Sequence, residues 1–381
     1  MTTDSDVGAP LPPAAAHSES PDHRGSPIPT LGMIGSRFME LRKRRGLMVA
    51  LTTVTIGIPT VFLAVRLLLH ELAPKSYGPA GGYDIYTALA AGVLYTFGFI
   101  VAATLGCTAG SVDLSDGMFR HLVVTGRSRL ALYLARIPAG LAIIIPLVGV
   151  GFSIVCAVCV LAAPATLNYN GLSVPSGLTV SQLETYAADH ATEFICDLPY
   201  TGAPGVAIQC GNAPGGPGVF VQGPGGITVP ATAAQLRAAA TQIAEQNYSD
   251  YTTKFRYPSD SLMIKTGLWL ELEASIGFIV GLGLGSLLGQ RTVAVILMIV
   301  LEIVLTPIFI RANIPHFANL QRGIVGIATA QLEPGQLPVL FGGGGHDFRI
   351  TESTTTAVCV ILAWLIGWTA LGAWRMMTRD A

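Results

Sequence analysis

The chain has 381 residues, 51% hydrophobic and 12% charged, with a formal net charge of −1 and a mean hydropathy of +0.56. A soluble domain carries about 25% charged residues, so this composition excludes an ordinary soluble fold. The near-neutral balance also argues against nucleic acid as a partner, since a binder of that kind shows a basic face.

Residues 1–32 are rich in Pro, Ala, Ser and Gly and poor in large apolar side chains, which predicts a disordered tail. The pattern changes at Met33. Ile34, Phe38 and Leu41 fall at i, i+4 and i+7 among Arg37, Arg42, Lys43, Arg44 and Arg45. This predicts a basic amphipathic helix at headgroup level, leading into the first span.

Six apolar stretches follow, at residues 46–69, 84–105, 134–161, 261–288, 293–310 and 357–374. About 20 mostly apolar residues cross the hydrocarbon core as a helix, because lipid offers no partner to backbone N–H and C=O groups. The predicted fold is therefore an all-α polytopic membrane protein of six transmembrane helices. A small extracytoplasmic domain, 163–260, separates the third span from the fourth. The membrane part divides into 33–162, with a cytoplasmic loop at 106–133, and 261–381, with an external loop at 311–356.

Basic residues set the orientation. Arg37, Arg42, Lys43, Arg44 and Arg45 precede the first span. Arg120, Arg127, Arg129 and Arg136 follow the second. Arg291 sits in the turn after the fourth, and Arg375 and Arg379 come at the end. The long alternate segments are poor in Lys and Arg, so the positive-inside rule predicts that both termini are cytoplasmic.

In segment 163–260, Ser181 and Glu184 read as a capping box that opens a helix running to about Glu193. Pro230 reads as the opening of a second helix bearing Leu236, Ala240 and Ile243 on one face. The Gly/Pro-rich stretch 202–226 between them reads as loop, with short strands around Val219–Val221. Cys196 and Cys210 lie in this segment, where an oxidising exterior permits a disulfide. The other four cysteines, Cys107, Cys156, Cys159 and Cys359, lie in or beside spans and read as small apolar residues. In segment 311–356 the apolar piece 324–330 is too short to span and predicts an interfacial or re-entrant helix.

No nucleotide-binding, zinc or nucleophile-elbow pattern occurs, so this chain offers no catalytic residue, metal site or cofactor of its own. Intramembrane carboxylates are the sharper signal: Glu271 and Glu273 in the fourth span and Glu302 in the fifth. Charge at membrane depth is costly and points to a translocation path. Gly277, Gly281, Gly285 and Gly289, four apart in the fourth span, predict close helix packing, within one protomer or between two. Pro138 and Pro146 in the third span and Pro307 in the fifth predict kinks.

The loop after the second span mixes Asp113, Asp116, Gly117, Arg120, Arg127 and Arg129 with Met118, Phe119, Leu122 and Val123. A short amphipathic helix of this kind can dock into a cleft on a soluble partner. Three features together resemble the permease subunit of a type-two ABC exporter of the kind common in actinobacteria. They are the basic entry Glu40-Leu41-Arg42-Lys43-Arg44-Arg45, the loop Asp116-Gly117-Met118-Phe119-Arg120 followed by Gly126-Arg127-Ser128-Arg129 and Ala135-Arg136, and the six-span layout. The resemblance covers about two-thirds of the chain. It implies a bacterial plasma-membrane permease working as a homo- or heterodimer. A separate cytoplasmic ATP-binding subunit would carry ATP and Mg and dock on Asp113, Asp116, Gly117, Phe119, Arg120, Arg127 and Arg129. Export of an amphipathic or lipid-like substrate is the expected activity. Two other classes stay open: an ion- or proton-coupled carrier using the glutamates, and a non-transporting assembly or sensor protein whose business lies in segment 163–260.

Overall fold

The computed structural model describes residues 27–73, 77, 79–115, 128–169, 172–196, 208–213, 216–222, 228–254, 257–301, 318–334 and 353–378. In chain order the helices are α1 (Leu31–Lys43), α2 (Arg45–Leu72), α3 (Tyr83–Val112), α4 (Arg129–Leu161), α5 (Val180–Asp189), α6 (Ala191–Cys196), α7 (Ala233–Gln246), α8 (Tyr248–Lys254), α9 (Asp260–Leu288), α10 (Arg291–Ile299), α11 (Ala318–Arg322), α12 (Val325–Gln331) and α13 (Thr354–Thr378). Strands β1 (Thr166–Tyr169) and β2 (Leu172–Pro175) precede α5. Strands β3 (Ile208–Ala213), β4 (Gly216–Gln222) and β5 (Thr228–Pro230) lie between α6 and α7.

The chain folds as a mostly helical membrane protein. Five helices, α2, α3, α4, α9 and α13, are long and apolar enough to cross a membrane. The predicted span 293–310 is described to residue 301 and is helical there as α10. Pro307 lies outside the described residues.

The central span is α9, with 72% of its most apolar window buried against 22% for α2 and α13. Small residues make that position accessible. Gly277, Gly281 and Gly285 rest on the backbone of α3 at Phe99, Ala103 and Cys107. Gly106 and Gly110 of α3 return the contact at Phe278 and Leu282. The glycine stripe thus packs inside one chain. Gly289 is not part of it: with φ 68° it caps the end of α9 in the left-handed region and its N–H donates to Gly285 O. On the other side of α9, Gly283 meets Trp368 of α13, and Gly140 of α4 meets the ring of Phe278.

Two spans depart from α-helical winding. Residues Thr53–Gly57 of α2 and Ala88–Tyr95 of α3 wind as π-helix. In α2 the cause is local: Pro59 has no N–H for the Thr55 carbonyl four residues back. Gly151 of α4 sits against that carbonyl, where any Cβ would collide, and Leu94 of α3 is the next neighbour at 3.7 Å. The predicted kink at Pro138 is a break at Ala135, between helical stretches Arg129–Leu134 and Arg136–Leu161. Pro138 withholds a donor from the Leu134 carbonyl. Pro146 lies inside the second of these stretches.

Helix α1 buries Met33, Arg37 and Leu41, with Ile34 and Phe38 half-buried. Met33 packs on Ala131, Leu132 and Ala135 at the start of α4, so the helix docks on the bundle. Arg37 reaches this buried face by pairing with Glu40, Nη1 to Oε2, at 2.7 Å.

Residues 166–254 form a separate small core of Val174, Leu183, Ala187, Phe194, Ile195, Ala240, Ile243, Ala244 and Tyr251. Antiparallel β1–β2 and β3–β4–β5 flank its helices. The sequence reading misplaced both helix starts. Thr179 with Gln182 forms the capping box of α5, not Ser181 with Glu184, and the helix stops at Asp189 before α6 resumes at Ala191. Thr232 with Gln235 caps α7, and Pro230 ends strand β5 instead of opening the helix.

These two starts belong to one repeated pattern. Gly171-Leu172-Ser173-Val174-Pro175, then Thr179-Val180-Ser181-Gln182-Leu183, matches Gly226-Ile227-Thr228-Val229-Pro230, then Thr232-Ala233-Ala234-Gln235-Leu236. In each copy a strand ends at Val-Pro, a Thr/Gln box opens a helix, and a second short helix follows after one residue. Ala187 of α5 and Ala240 of α7, at the same distance from their capping threonines, are both buried where the two helices meet. The domain uses this strand–cap–helix pattern twice.

Candidate functional site

The loop singled out as a docking element lies largely outside the described residues: nothing is placed for Asp116, Gly117, Phe119, Arg120 and Arg127, nor for the side chain of Asp113. Its two stems are described, and they are tied together. The outgoing stem is the end of α3, which stays helical to Ser115. Gly110, on its last turns, meets the backbone of α9: a Cβ there would lie 2.5 Å from Leu282 O and 2.7 Å from Ser286 N. The Gly110 carbonyl accepts from Arg136 Nη1 at 3.3 Å and from Ser286 Oγ at 3.4 Å.

The return stem is the start of α4. Arg129 donates through Nη1 to Met377 O of α13 at 3.1 Å. One turn on, the ring of Tyr133 fills the space over Gly372 of α13, where a Cβ would strike its hydroxyl end. Arg136 then enters the bundle and is only 2% exposed. A buried guanidinium must be hydrogen-bonded to persist, and a helix carbonyl on the opposite stem serves it. Sequence reading named Arg136 only as part of a basic loop. The signal for more was there, since an arginine between Ala135 and a long apolar run cannot reach bulk water easily.

Among the described residues, the two predicted glutamates of α9 do not converge. Two residues apart on a helix, Glu271 and Glu273 point about 200° apart. Glu271 is half-buried and faces α4, its Oε1 lying 3.3 Å from where a Gly149 Cβ would be. Glu273 is 3% exposed. It sits one turn from both Trp269, which stacks on Tyr95 of α3 with ring centroids 4.8 Å apart, and Gly277, which rests on Phe99 of the same helix. Glu273 therefore belongs to the α3-facing side of α9. Glu302 lies outside the described residues.

Beside this layer stands the element that was expected to be interfacial or re-entrant. Helices α11 and α12 fold into the bundle, with Val325, Gly326, Ile327, Ala328 and Thr329 all buried. Two indoles hold them: Trp269 Nε1 of α9 donates to Thr329 O at 3.0 Å, and Trp364 Nε1 of α13 donates to Gly323 O at 2.8 Å. Sequence reading found the helix but not its anchors.

The remaining predicted sites are plain. Cys107, Cys156, Cys159 and Cys359 are free thiols. Cys196 ends α6 and Cys210 lies on β3, but their side chains are outside the described residues. Among the described residues no group of three His, Cys, Asp or Glu is arranged to hold a metal ion. A shallow apolar groove between α3 and α10 is lined by Phe99, Ala103, Thr104, Val295, Met298 and Ile299, and the Thr104 hydroxyl donates back to its own helix at Ile100 O. No protein-family model, curated protein or solved structure matches the chain.

Proposed function

We propose that this chain is the membrane-spanning permease subunit of a type-two ABC exporter. It would cross a bacterial plasma membrane six times with both termini in the cytoplasm and the 163–260 domain outside. A separate cytoplasmic subunit would bind and hydrolyse ATP with Mg, docking on the loop through Asp116, Gly117, Phe119, Arg120 and Arg127. A second permease chain, identical or related, would complete the pore, and the cargo would be amphipathic or lipid-like.

The observation that carries the reading is the anchoring of the loop's two stems. A loop that only capped the bundle would need no such ties, whereas a loop that receives force from a partner must be braced against the spans. The Gly110, Arg136 and Ser286 junction and the Arg129 to Met377 bond supply that bracing at the basic end of the bundle. The helical pair α11–α12 before the last span supports the same reading as an ordered element at the opposite end.

The test is a mild-detergent pull-down of the chain from its native membrane with mass spectrometry of what accompanies it, repeated with Arg120→Glu. The expected result is an ATPase that co-purifies with the wild type and is lost in the variant. Absence of any ATPase, under conditions that keep a known transporter intact, refutes the reading. The ion-coupled carrier is the second reading, favoured by the deep burial of Glu273. It predicts that Glu273→Gln abolishes transport and that no ATPase is needed.

A further inference from the structure

We infer that Arg136 is the strut that converts movement of the cytoplasmic docking loop into movement of the bundle. The inference rests on the permease reading, and it assigns to that reading a positioning residue that the loop motif itself does not contain.

Consider what a push on loop 116–127 meets. The outgoing stem is clamped to α9, because Gly106 and Gly110 bring the backbones of α3 and α9 into direct contact. The return stem is clamped to α13 through Arg129 and Tyr133. Without a cross-link the two stems could slide past each other and absorb the push as a local shear. Arg136 spans them: it belongs to the return stem, and its guanidinium donates to the Gly110 carbonyl of the outgoing stem. Ser286 of α9 donates to the same oxygen, so one acceptor atom gathers three spans.

The chemistry suits a strut better than a packing residue would. A buried guanidinium donating to a backbone carbonyl resists displacement, since moving it costs that bond in an apolar interior. Its planar, multi-donor head also fixes direction, which an aliphatic side chain cannot do. The break at Ala135, one residue earlier, separates the loop-proximal turn of α4 from the long stretch beyond. Arg136 is therefore the first residue of the part of α4 that runs through the bundle. A force delivered there moves α3, α4 and α9 together, and through Trp269 it reaches Thr329 at the far end.

The test uses the full chain co-purified with its ATPase. Hydrogen–deuterium exchange at residues 318–331 is read without nucleotide and with ATP plus vanadate. The wild type should show a severalfold change in exchange there. Arg136→Met, which keeps the volume and removes the donors, should retain the ATPase but lose that change, and Arg136→Lys should restore part of it. Should Arg136→Met fail to fold, Ser286→Ala carries the test, because it removes the second donor to Gly110 O without touching a charge, and it should reduce the change. A wild type with no nucleotide response at 318–331, or a full-sized response in both Arg136→Met and Ser286→Ala, overturns the strut while leaving the permease reading intact. A wild type that brings down no ATPase refutes the permease reading, and the strut falls with it.

Discussion

Replacing Gly285 by valine should lower stability, and the structure gives the size. A Cβ at 285 meets Cys107 O at 2.5 Å, its Cα at 2.8 Å and its carbonyl carbon at 3.0 Å, all backbone atoms of α3 that no rotamer change can move. The helices must part by at least about 0.5 Å before the first contact becomes tolerable. Phe99, Ala103 and Gly106 lie along the same seam, so the separation loosens their contacts too. Overpacking of this kind costs about 1–3 kcal/mol, and valine regains only a few tenths of a kcal/mol over glycine in helix propensity. The midpoint of thermal unfolding in detergent, followed by tryptophan fluorescence, should fall by roughly 1–4 °C. Gly367→Val is the control: that glycine lies inside α13 with nothing within 4 Å of a new Cβ, so the same substitution there should leave the midpoint unchanged or slightly raised. Equal falls at 285 and 367 would refute the account, because they would show that glycine is needed for something other than the approach of α3.

Trp269→Phe keeps an aromatic ring over Tyr95 but removes the indole donor from the Thr329 carbonyl, which keeps its bond from Leu332 N, a loss of about 0.5–1.5 kcal/mol. Amide exchange across Val325–Gln331 should rise, while exchange in α3 stays as in the wild type. Tyr251→Phe removes two hydrogen bonds in the 166–254 domain, the hydroxyl's donation to Pro175 O at 2.7 Å and its acceptance from Leu178 N at 2.8 Å. Faster proteolytic cleavage within 166–254 should report the loss. Burial pushes the Tyr251 phenol above its ordinary value, so the folded domain holds the proton more tightly than the unfolded chain. That contribution is intact below the ordinary phenol range and is lost as pH rises through and beyond it, about pH 10 upward. Wild-type domain stability should therefore decline there more steeply than that of Tyr251→Phe. Finally, α6 ends at Cys196 and packs on β4, whose neighbour β3 carries Cys210. A peptide linking these two cysteines should appear in non-reducing digests and vanish on reduction. Its absence from protein made in an oxidising compartment would dispose of the disulfide.

Five of the six predicted spans were legible because lipid leaves backbone groups one solution, so length and apolarity suffice. The close-packed face of α9 was legible for a similar reason: glycines four apart leave a groove whatever fills it. Which helix fills it was not legible, because that depends on the register of α3, where Gly106 and Gly110 supply the other half of the seam. Helix starts in the 166–254 domain failed on competition between neighbours. Thr179, Ser181 and Glu184 all suit a helix start, and the choice fell to Thr179, whose partner Gln182 bonds back to its N–H. The repeated strand–cap–helix pattern was hidden for a simpler cause: three residues separate Pro175 from Thr179, but one separates Pro230 from Thr232, so a fixed period does not align both strand and helix. The two glutamates of α9 looked like one site in the sequence and are two, since neighbours two apart on a helix face different partners.

The same logic locates where this bundle can change shape. Spans α3 and α9 touch backbone to backbone from Phe99 to Gly110, so that pair moves as one body. Around it the chain has placed weak points of known cause. Pro59 frees the Thr55 carbonyl and α2 winds as π-helix just before it. Pro138 frees the Leu134 carbonyl and α4 breaks at Ala135. Each weak point lies against the rigid pair or one helix away from it, Thr55 by way of Gly151 and Ala135 by way of Arg136 and Gly110. Bends at such points need break no further hydrogen bond, because the proline has already removed it. A bundle built this way confines motion to the joints of α2 and α4 and transmits it through an unyielding centre, so substitutions in the glycine seam should alter stability while those at the joints alter movement.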